Sequence, residues 1–567
     1  MEFGLFNVLQ IAGAVAMFIY GMKLMSDGIQ KAAGSQFRNV LSNITSNKWV
    51  GFISGFLITG LIQSSSATTV MTVSFVNAGL LSVAESVSLI MGANVGTTVT
   101  GWLVSLFGFR ISLSEYAVPL FAVGVPMLFY TKRKIKYWGE FLLGFSLIFI
   151  SLTFLRDAVP VFNENTLLFD WLKNFTQHGL LSRLFFVLVG IIITVLVQSS
   201  SVAMAITLTM CAQGWLPVEI AASLILGENI GTTSTALFAS LFANREARIT
   251  ARIHCLFNII GSLWMVILIP WFLPLLSDAM HFLFGTQDIY TNNTDMTIGL
   301  SAFHTAFNLL NSLLLMYFPK WLIGLASLGL KKDGDESGST KEDFKIKILN
   351  NSGNMPEMAT IQLQQEIRNF GELIQNMAAC FKNIVNTTDV KKQQKLIKKI
   401  IQYEKITDTL ETDITEYITS LSSQEVTPET SLIFRNVLNI SNELERMADI
   451  YYQLALTFQK KTEENVYFLP EQREKINILS DLLDGAIRIM NENLASVDYK
   501  NVKKYYAQKT EKLINQQRDR MRSEHASKLG LPDYNLKSAM VYSNVFLSLE
   551  RIGDHVIQVT ETLAGQT

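Results

Sequence analysis

The feature that most limits how this chain can fold is the scarcity of charge in its first 330 residues. They hold 16 Lys/Arg and 14 Asp/Glu, so of totals of 47 and 48 the remaining 237 residues hold 31 and 34. So few charges cannot cover a water-soluble surface of that size. The first part is therefore read as embedded in a bilayer and the second as an ordinary soluble domain. The join, Lys331-Lys332-Asp333-Gly334-Asp335-Glu336-Ser337-Gly338-Ser339-Thr340, has the composition of a flexible linker, taken as 331–344. A net charge of −1 lacks the basic footprint of a nucleic-acid partner. Cys211, Cys255 and Cys380 are too widely spaced for a metal site or a disulfide framework. The N-terminus lacks the basic start of a cleavable signal, so Leu5–Met25 is expected to stay in the membrane.

About 20 apolar residues cross a bilayer as a helix. Crossings are expected at roughly 5–25, 84–107, 116–131, 138–156, 218–242, 253–276 and 298–318. Two more apolar stretches, near 50–80 and 181–214, are each interrupted by Gln-Ser-Ser-Ser. Four polar residues at a helix centre are costly against lipid but tolerable where the chain turns inside the protein, as a re-entrant hairpin facing a polar cavity. Basic residues test this arrangement, because they concentrate in cytoplasmic loops. With the hairpins not crossing, Lys31, Arg38, Lys48, the 132–136 loop, Arg245, Arg248, Arg252, Lys320 and the linker all fall on one side. The soluble part is then cytoplasmic and the N-terminus outside.

Gln63–Thr98 aligns with Gln198–Thr233 without a gap, at a constant offset of 135, with sixteen of 36 positions identical. Gln63-Ser64-Ser65-Ser66 matches Gln198-Ser199-Ser200-Ser201, and Gly92-Ala93-Asn94-Val95-Gly96-Thr97-Thr98 matches Gly227-Glu228-Asn229-Ile230-Gly231-Thr232-Thr233. An odd number of crossings separates the hairpins, so the copies are expected to have inverted topology, spanning about 5–131 and 138–276 with a last helix at 298–318. In transporters this architecture places the site near the midplane, where the repeats meet. A lone run of serines could simply let helices pack. Two gapless copies point to a site.

Each hairpin tip offers three hydroxyls, a carboxamide and the free N–H groups of a helix start, which suit an anion. No Lys or Arg falls within either block, so co-bound cations would have to balance a divalent oxyanion. Hydroxyl, carboxamide and carbonyl oxygens are hard ligands for a hard cation. The candidates for the anion are Gln63, Ser64, Ser65, Ser66, Gln198, Ser199, Ser200 and Ser201. Those for the cation are Ser65, Ser66, Thr68, Asn94, Thr97, Thr98, Ser200, Ser201, Glu228, Asn229, Thr232 and Thr233, with the Gly-x-Asn-x-Gly-Thr-Thr stretches expected to be unwound. Glu228 replaces Ala93 and either tunes cation stoichiometry or pairs with a neighbouring helix. His254-x-x-Phe257-Asn258 and His304-x-x-Phe307-Asn308 each put His and Asn on one helix face, for interhelical bonding or substrate contact.

The doubled Gln-Ser-Ser-Ser with its following Gly-x-Asn-x-Gly-Thr-Thr resembles the type II sodium/phosphate cotransporter family over roughly residues 5–320. The resemblance implies Na+-driven import of inorganic phosphate, with the eight Gln-Ser-Ser-Ser residues around the ions. The short 163–178 loop is unlike the large loop of animal relatives.

From 345 to 567 the pattern is helical. Glu404/Asp408, Glu445/Asp449 and Glu550/Asp554 are acidic pairs at i,i+4, and like charges so placed destabilise a helix unless a cation neutralises them. These segments resemble the PhoU family, which implies helical bundles with divalent-metal clusters and a role in phosphate regulation. Alignment adds Glu511 to the ligand set, although its i+4 partner is Asn515. The expected whole is an all-α polytopic membrane protein of a prokaryotic inner membrane with a cytoplasmic PhoU-like domain. Expected partners are phosphate, Na+, lipid, phosphate-regulatory proteins and a second copy as a homodimer. A sensor that binds phosphate without transport is the alternative. An enzyme is not expected, because no nucleophile–base arrangement or phosphate-cradling glycine loop with Lys appears.

Overall fold

A backbone this poor in polar cover must satisfy its own hydrogen bonds, and the helix does so within one segment. The computed structural model describes residues 5–33, 47–77, 79–110, 114–159, 179–241, 243–286, 288–330, 356–422, 426–496, 502–529 and 534–565. Every regular element among them is helical. They fall into two compact units, one ending at residue 330 and the other beginning at 356. The linker and residues 345–355 lie outside the described residues.

The first unit contains α1 (Leu5–Ala33), α2 (Lys48–Ile62), α3 (Ser65–Asn77), α4 (Val83–Trp102, continued by a π-helical Leu103–Arg110), α5 (Ser114–Leu128) and α6 (Arg133–Ala158). It continues with α7 (Leu180–Val197), α8 (Ser200–Ala212), α9 (Val218–Ala239), α10 (Arg245–Phe284), α11 (Asn293–Leu315) and α12 (Pro319–Ala326). Six of these are long and apolar enough to cross a membrane: α1, α4 with its extension, α6, α7, α10 and α11. That set differs from the sequence expectation in three places. The 116–131 crossing is a 15-residue helix broken in character by Pro119 and Pro126. The 218–242 crossing is α9, buried along most of its length and carrying Glu219 and Glu228; a helix sheathed in protein has no need to be apolar all round. In addition α7, taken as one arm of a hairpin, is 18 residues long and apolar enough to span.

Helix α10 runs for 40 residues through Pro270 and Pro274, well past the expected 253–276. A proline has no N–H, so Pro270 leaves the carbonyl of Val266 without its helical donor. Arg183 on α7 supplies one, its Nη1 donating to that oxygen at 2.7 Å.

Glycines set the packing. An added Cβ at Gly55 would lie 2.0 Å from the Leu89 carbonyl oxygen, and one at Gly92 1.9 Å from that of Phe52, so α2 and α4 touch backbone to backbone. Helices α7 and α9 repeat this at the same offset of 135, with 2.3 Å from Gly190 to Leu224 and 2.0 Å from Gly227 to Val187. Close approach of small residues is how helices associate without a hydrophobic driving force. The repeat therefore reaches back from Gln63 to residue 52. Helices α1 and α6 cross in the same way at Gly21, Gly28 and Gly144, and Lys31 pairs with Glu140 at 3.0 Å.

Among the described residues the second unit has six helices: α13 (Pro356–Asn386), α14 (Val390–Ser422), α15 (Pro428–Glu463), α16 (Pro470–Ala495), α17 (Lys504–Lys528) and α18 (Leu536–Ala564). The first three pack on one another, as do the last three, and α13–α16 and α15–α18 join the two bundles. Prolines open α15 and α16 at positions where no helical N–H is needed. Their apolar stripes meet in one core around Phe381, Tyr451, Phe458 and Phe546.

Candidate functional site: two broken helices and their bridge

Both Gln-Ser-Ser-Ser segments form a helix–break–helix. Gln63 ends α2 at φ 57° and Gln198 ends α7 at φ 56°. Their N–H groups close on Thr59 and Thr194 at 2.7 Å in both copies. The left-handed conformation suits glycine and penalises a side chain by about 1–2 kcal/mol, so a glutamine there is held for its carboxamide. The return helices α3 and α8 begin at Ser65 and Ser200, and each preceding serine caps them: Ser64 Oγ accepts from Ala67 N at 3.2 Å and Ser199 Oγ from Val202 N at 3.4 Å. Ser65, Ser200 and Ser201 are buried, and Ser66 is half-buried. The capping use of oxygen lone pairs leaves the Ser64 and Ser199 protons free to donate.

One chain of hydrogen bonds joins the copies. Thr100 Oγ1 donates to Gln63 Oε1 at 2.8 Å and lies 3.3 Å from Ser201 Oγ. Residues 138 positions apart thus meet around one hydroxyl, and Thr100, absent from the expected set, is what connects them. Its counterpart Thr235 instead donates to the Thr232 carbonyl at 2.9 Å, and Gln198 is exposed where Gln63 is buried.

The Gly-x-Asn-x-Gly-Thr-Thr stretches correct an expectation. They are not unwound: both lie inside α4 and α9. Their glycines serve the close packing described above, and the hydroxyls bond within the helix. Thr97 donates to Ala93 O, Thr98 to Val95 O, Thr232 to Glu228 O and Thr233 to Ile230 O. Thr68 likewise donates to Ser64 O and accepts from Thr59 Oγ1 at 3.0 Å. A hydroxyl whose proton is engaged this way keeps oxygen lone pairs for a cation, but the main-chain carbonyls of these stretches are used by the helix.

Glu228 is buried and accepts a 2.7 Å bond from Thr207 Oγ1 on α8. Thr207 corresponds to Thr72, which donates to its own helix at Thr68 O. The His-x-x-Phe-Asn helices do bond to their neighbours: Asn258 Nδ2 to Asn94 Oδ1 at 3.2 Å, and His304 Nε2 to Asn229 Oδ1 at 3.0 Å. The same two helices match at a fourth position, Ser262 with Ser312. Ser262 donates to Leu226 O and Ser312 to Met91 O, and those carbonyls are themselves 135 residues apart.

In the second unit, one oxygen from each of Glu404, Asp408 and Asp449 lies within 4.8 Å of the others. Burial, then the Asp449 and Asp408 charges, push Glu445 up to about 7, and burial with neighbouring acids also raises Glu404 and Asp408. A cation between these carboxylates would relieve that crowding. The other expected residues are engaged differently. Glu550 accepts from Arg518 Nη1 at 2.5 Å and Glu511 from Asn515, so with Asp554 they form no metal-type group among the described residues. A guanidinium already stands where the ion was expected.

These features define a helical membrane protein with paired broken helices around a shared polar centre, joined in one chain to a second helical unit. The chain belongs to the Na+/Pi-cotransporter family: that family's model matches residues 17–157 and 165–312, and the PhoU domain matches 358–456. Among curated proteins it is similar to one provisionally described as inorganic phosphate export protein YjbB of Escherichia coli (strain K12), 24% identical over 80% of this chain and 79% of that protein. It is also similar to the uncharacterized protein YqeW of Bacillus subtilis, 28% identical over 54% of this chain and 94% of that one. Sodium-dependent phosphate transport protein 2B of Homo sapiens is 37% identical over 107 residues, 18% of this chain and 15% of its own length. No solved structure matches.

Proposed function

We propose that the chain is a sodium-coupled phosphate symporter working by alternating access, with the two Gln-Ser-Ser-Ser breaks forming one site. The observation that carries this reading is the Gln63–Thr100–Ser201 chain, which brings the two copies to a common centre. Phosphate would take the Ser64 and Ser199 protons, the buried serines and the free N–H groups of α3 and α8. Sodium would take hydroxyl and carboxamide oxygens on α3, α4, α8 and α9, with Glu228 the one anionic group. The copies are proposed to enter from opposite faces, with the basic loops and the PhoU domain in the cytoplasm. Each sodium moved inward is worth about 2.3 kcal/mol per 100 mV, enough for a few to carry one anion against repulsion.

In the PhoU domain Glu404, Asp408, Glu445 and Asp449 would hold a divalent cation, which would supply charge neutralisation and a fixed crossing of α14 on α15. Counting bound metal in the full chain by mass spectrometry tests this, with loss in Asp449→Asn expected.

A second reading, phosphate export, is supported by the description of the E. coli relative that spans both units. Proteoliposomes with imposed gradients separate the two. Phosphate following an inward sodium gradient supports symport, and sodium-independent efflux supports export. Saturable binding with no flux in either direction would favour a sensor.

A further inference from the structure

The first unit departs from its own internal symmetry around its two repeat asparagines. Helix α4 corresponds to α9 at an offset of 135 and α10 corresponds to α11 at an offset of 50, so each contact on one side has a defined counterpart on the other. Ser262 to Leu226 and Ser312 to Met91 obey this correspondence. The contacts to the two repeat asparagines do not. Asn94 is held by Asn258, whose Nδ2 donates to Asn94 Oδ1 as well as to His254 O, whereas the counterpart Asn308 Nδ2 donates to His304 O. Asn229 is held by His304, whose counterpart His254 has neither ring nitrogen bonded, although it is 0% exposed. An imidazole buried with no partner is a destabilising arrangement, and the structure shows what would satisfy it: the bond to Asn94 that His304 makes to Asn229. The bridge at the breaks is lopsided in the same way, since Thr100 reaches Gln63 and Ser201 while no matching bond joins Thr235 to Ser66 or Gln198.

We infer that His254 and His304 are positioning residues that hold Asn94 and Asn229 in alternation. In the state described, His304 holds Asn229 while Thr100 bridges the breaks. In the opposite-facing state His254 takes Asn94, His304 releases Asn229, and Thr235 bridges Gln198 to Ser66. The two histidines touch neither phosphate nor sodium in this account; they act through the asparagines on the tilt of α4 and α9. The inference rests on the alternating-access reading above and names the residues that carry the exchange.

The test uses the full-length protein in membranes with Cys211, Cys255 and Cys380 replaced, and two reporter pairs, Thr100→Cys with Ser201→Cys and Thr235→Cys with Ser66→Cys. Disulfide formation in each pair reads one bridge. One buried hydrogen bond shifts a two-state equilibrium by about three- to tenfold. His304→Ala is therefore expected to lower cross-linking of the 100–201 pair and raise that of 235–66 by about that factor, and His254→Ala to do the reverse. His304→Gln, which keeps a donor, is expected to restore the ratio. Because His254 makes no bond in the state described, His254→Ala keeps that state's contacts even where His304→Ala misfolds. Both alanine variants moving the ratio in one direction, or neither moving it, would overturn the inference. Phosphate flux is measured separately: its absence in the unmutated chain would remove the transport reading, and the cross-linking ratio would still judge the histidines.

Discussion

At the scale of single residues, the two glutamines carry the clearest argument. Gln63 and Gln198 occupy backbone conformations a glycine would adopt more easily, in both copies, with matching 2.7 Å closures. Gln63→Gly relieves about 1 kcal/mol of backbone strain but removes the acceptor of Thr100, so stability is expected to stay level or fall by about 1–2 kcal/mol, while phosphate flux falls to background. Thermal unfolding and flux measured together check both halves, and retained flux would remove the carboxamide from the site. Ser65→Ala and Ser200→Ala are expected to abolish flux with normal membrane insertion. Arg183→Ala strips Val266 O of its donor beside Pro270 and should cost about 1–3 kcal/mol, read as a lowered melting temperature. The serines and glutamines were legible because they recur at a fixed offset. Thr100 was not, although Thr235 recurs at the same offset, because both stand two residues past the end of the aligned block and a single threonine in a helix carries no pattern of its own.

Elements show where the sequence reading misjudged a local signal. Two glycines and two threonines within seven residues look like a place where a membrane helix unwinds. In α4 and α9 the glycines instead let a second helix approach to backbone contact, and the threonines bond inside the helix, so the ladder continues. Gly92→Ala should push α2 from α4 and cost about 1–3 kcal/mol, visible as a lower unfolding midpoint. In the second unit Glu404 and Asp408 of α14 come together with Asp449 of α15. In the second set Arg518 lies one turn beyond Asn515 and faces Glu550, a pairing that spacing within one helix does not reveal. The first cluster predicts a pH response. Glu445 is raised from 4.5 to about 7 in the metal-free fold, so its contribution to stability is fully present below 4.5 and is lost as pH rises through 7. Thermal unfolding of the metal-free chain should show that loss; added divalent cation or Glu445→Gln should remove it.

Across the whole molecule, the described residues fall into two compact units, and the two family models match one each. The membrane unit is built twice from one plan of short helix, break, short helix and long helix. The lengths of its helices follow burial more than hydropathy alone: α9 is hidden among its neighbours and tolerates Glu228, while α7 reads as a span and ends at a break. The central claim is that both breaks serve one site at which phosphate and sodium bind together. The most direct measurement is initial-rate radiolabelled phosphate flux into proteoliposomes of the full chain, with an inward sodium gradient and with potassium in its place. The account predicts saturable flux that requires sodium and disappears equally in Ser65→Ala and in Ser200→Ala. Flux that ignores the cation, or that survives the loss of either serine, would contradict it.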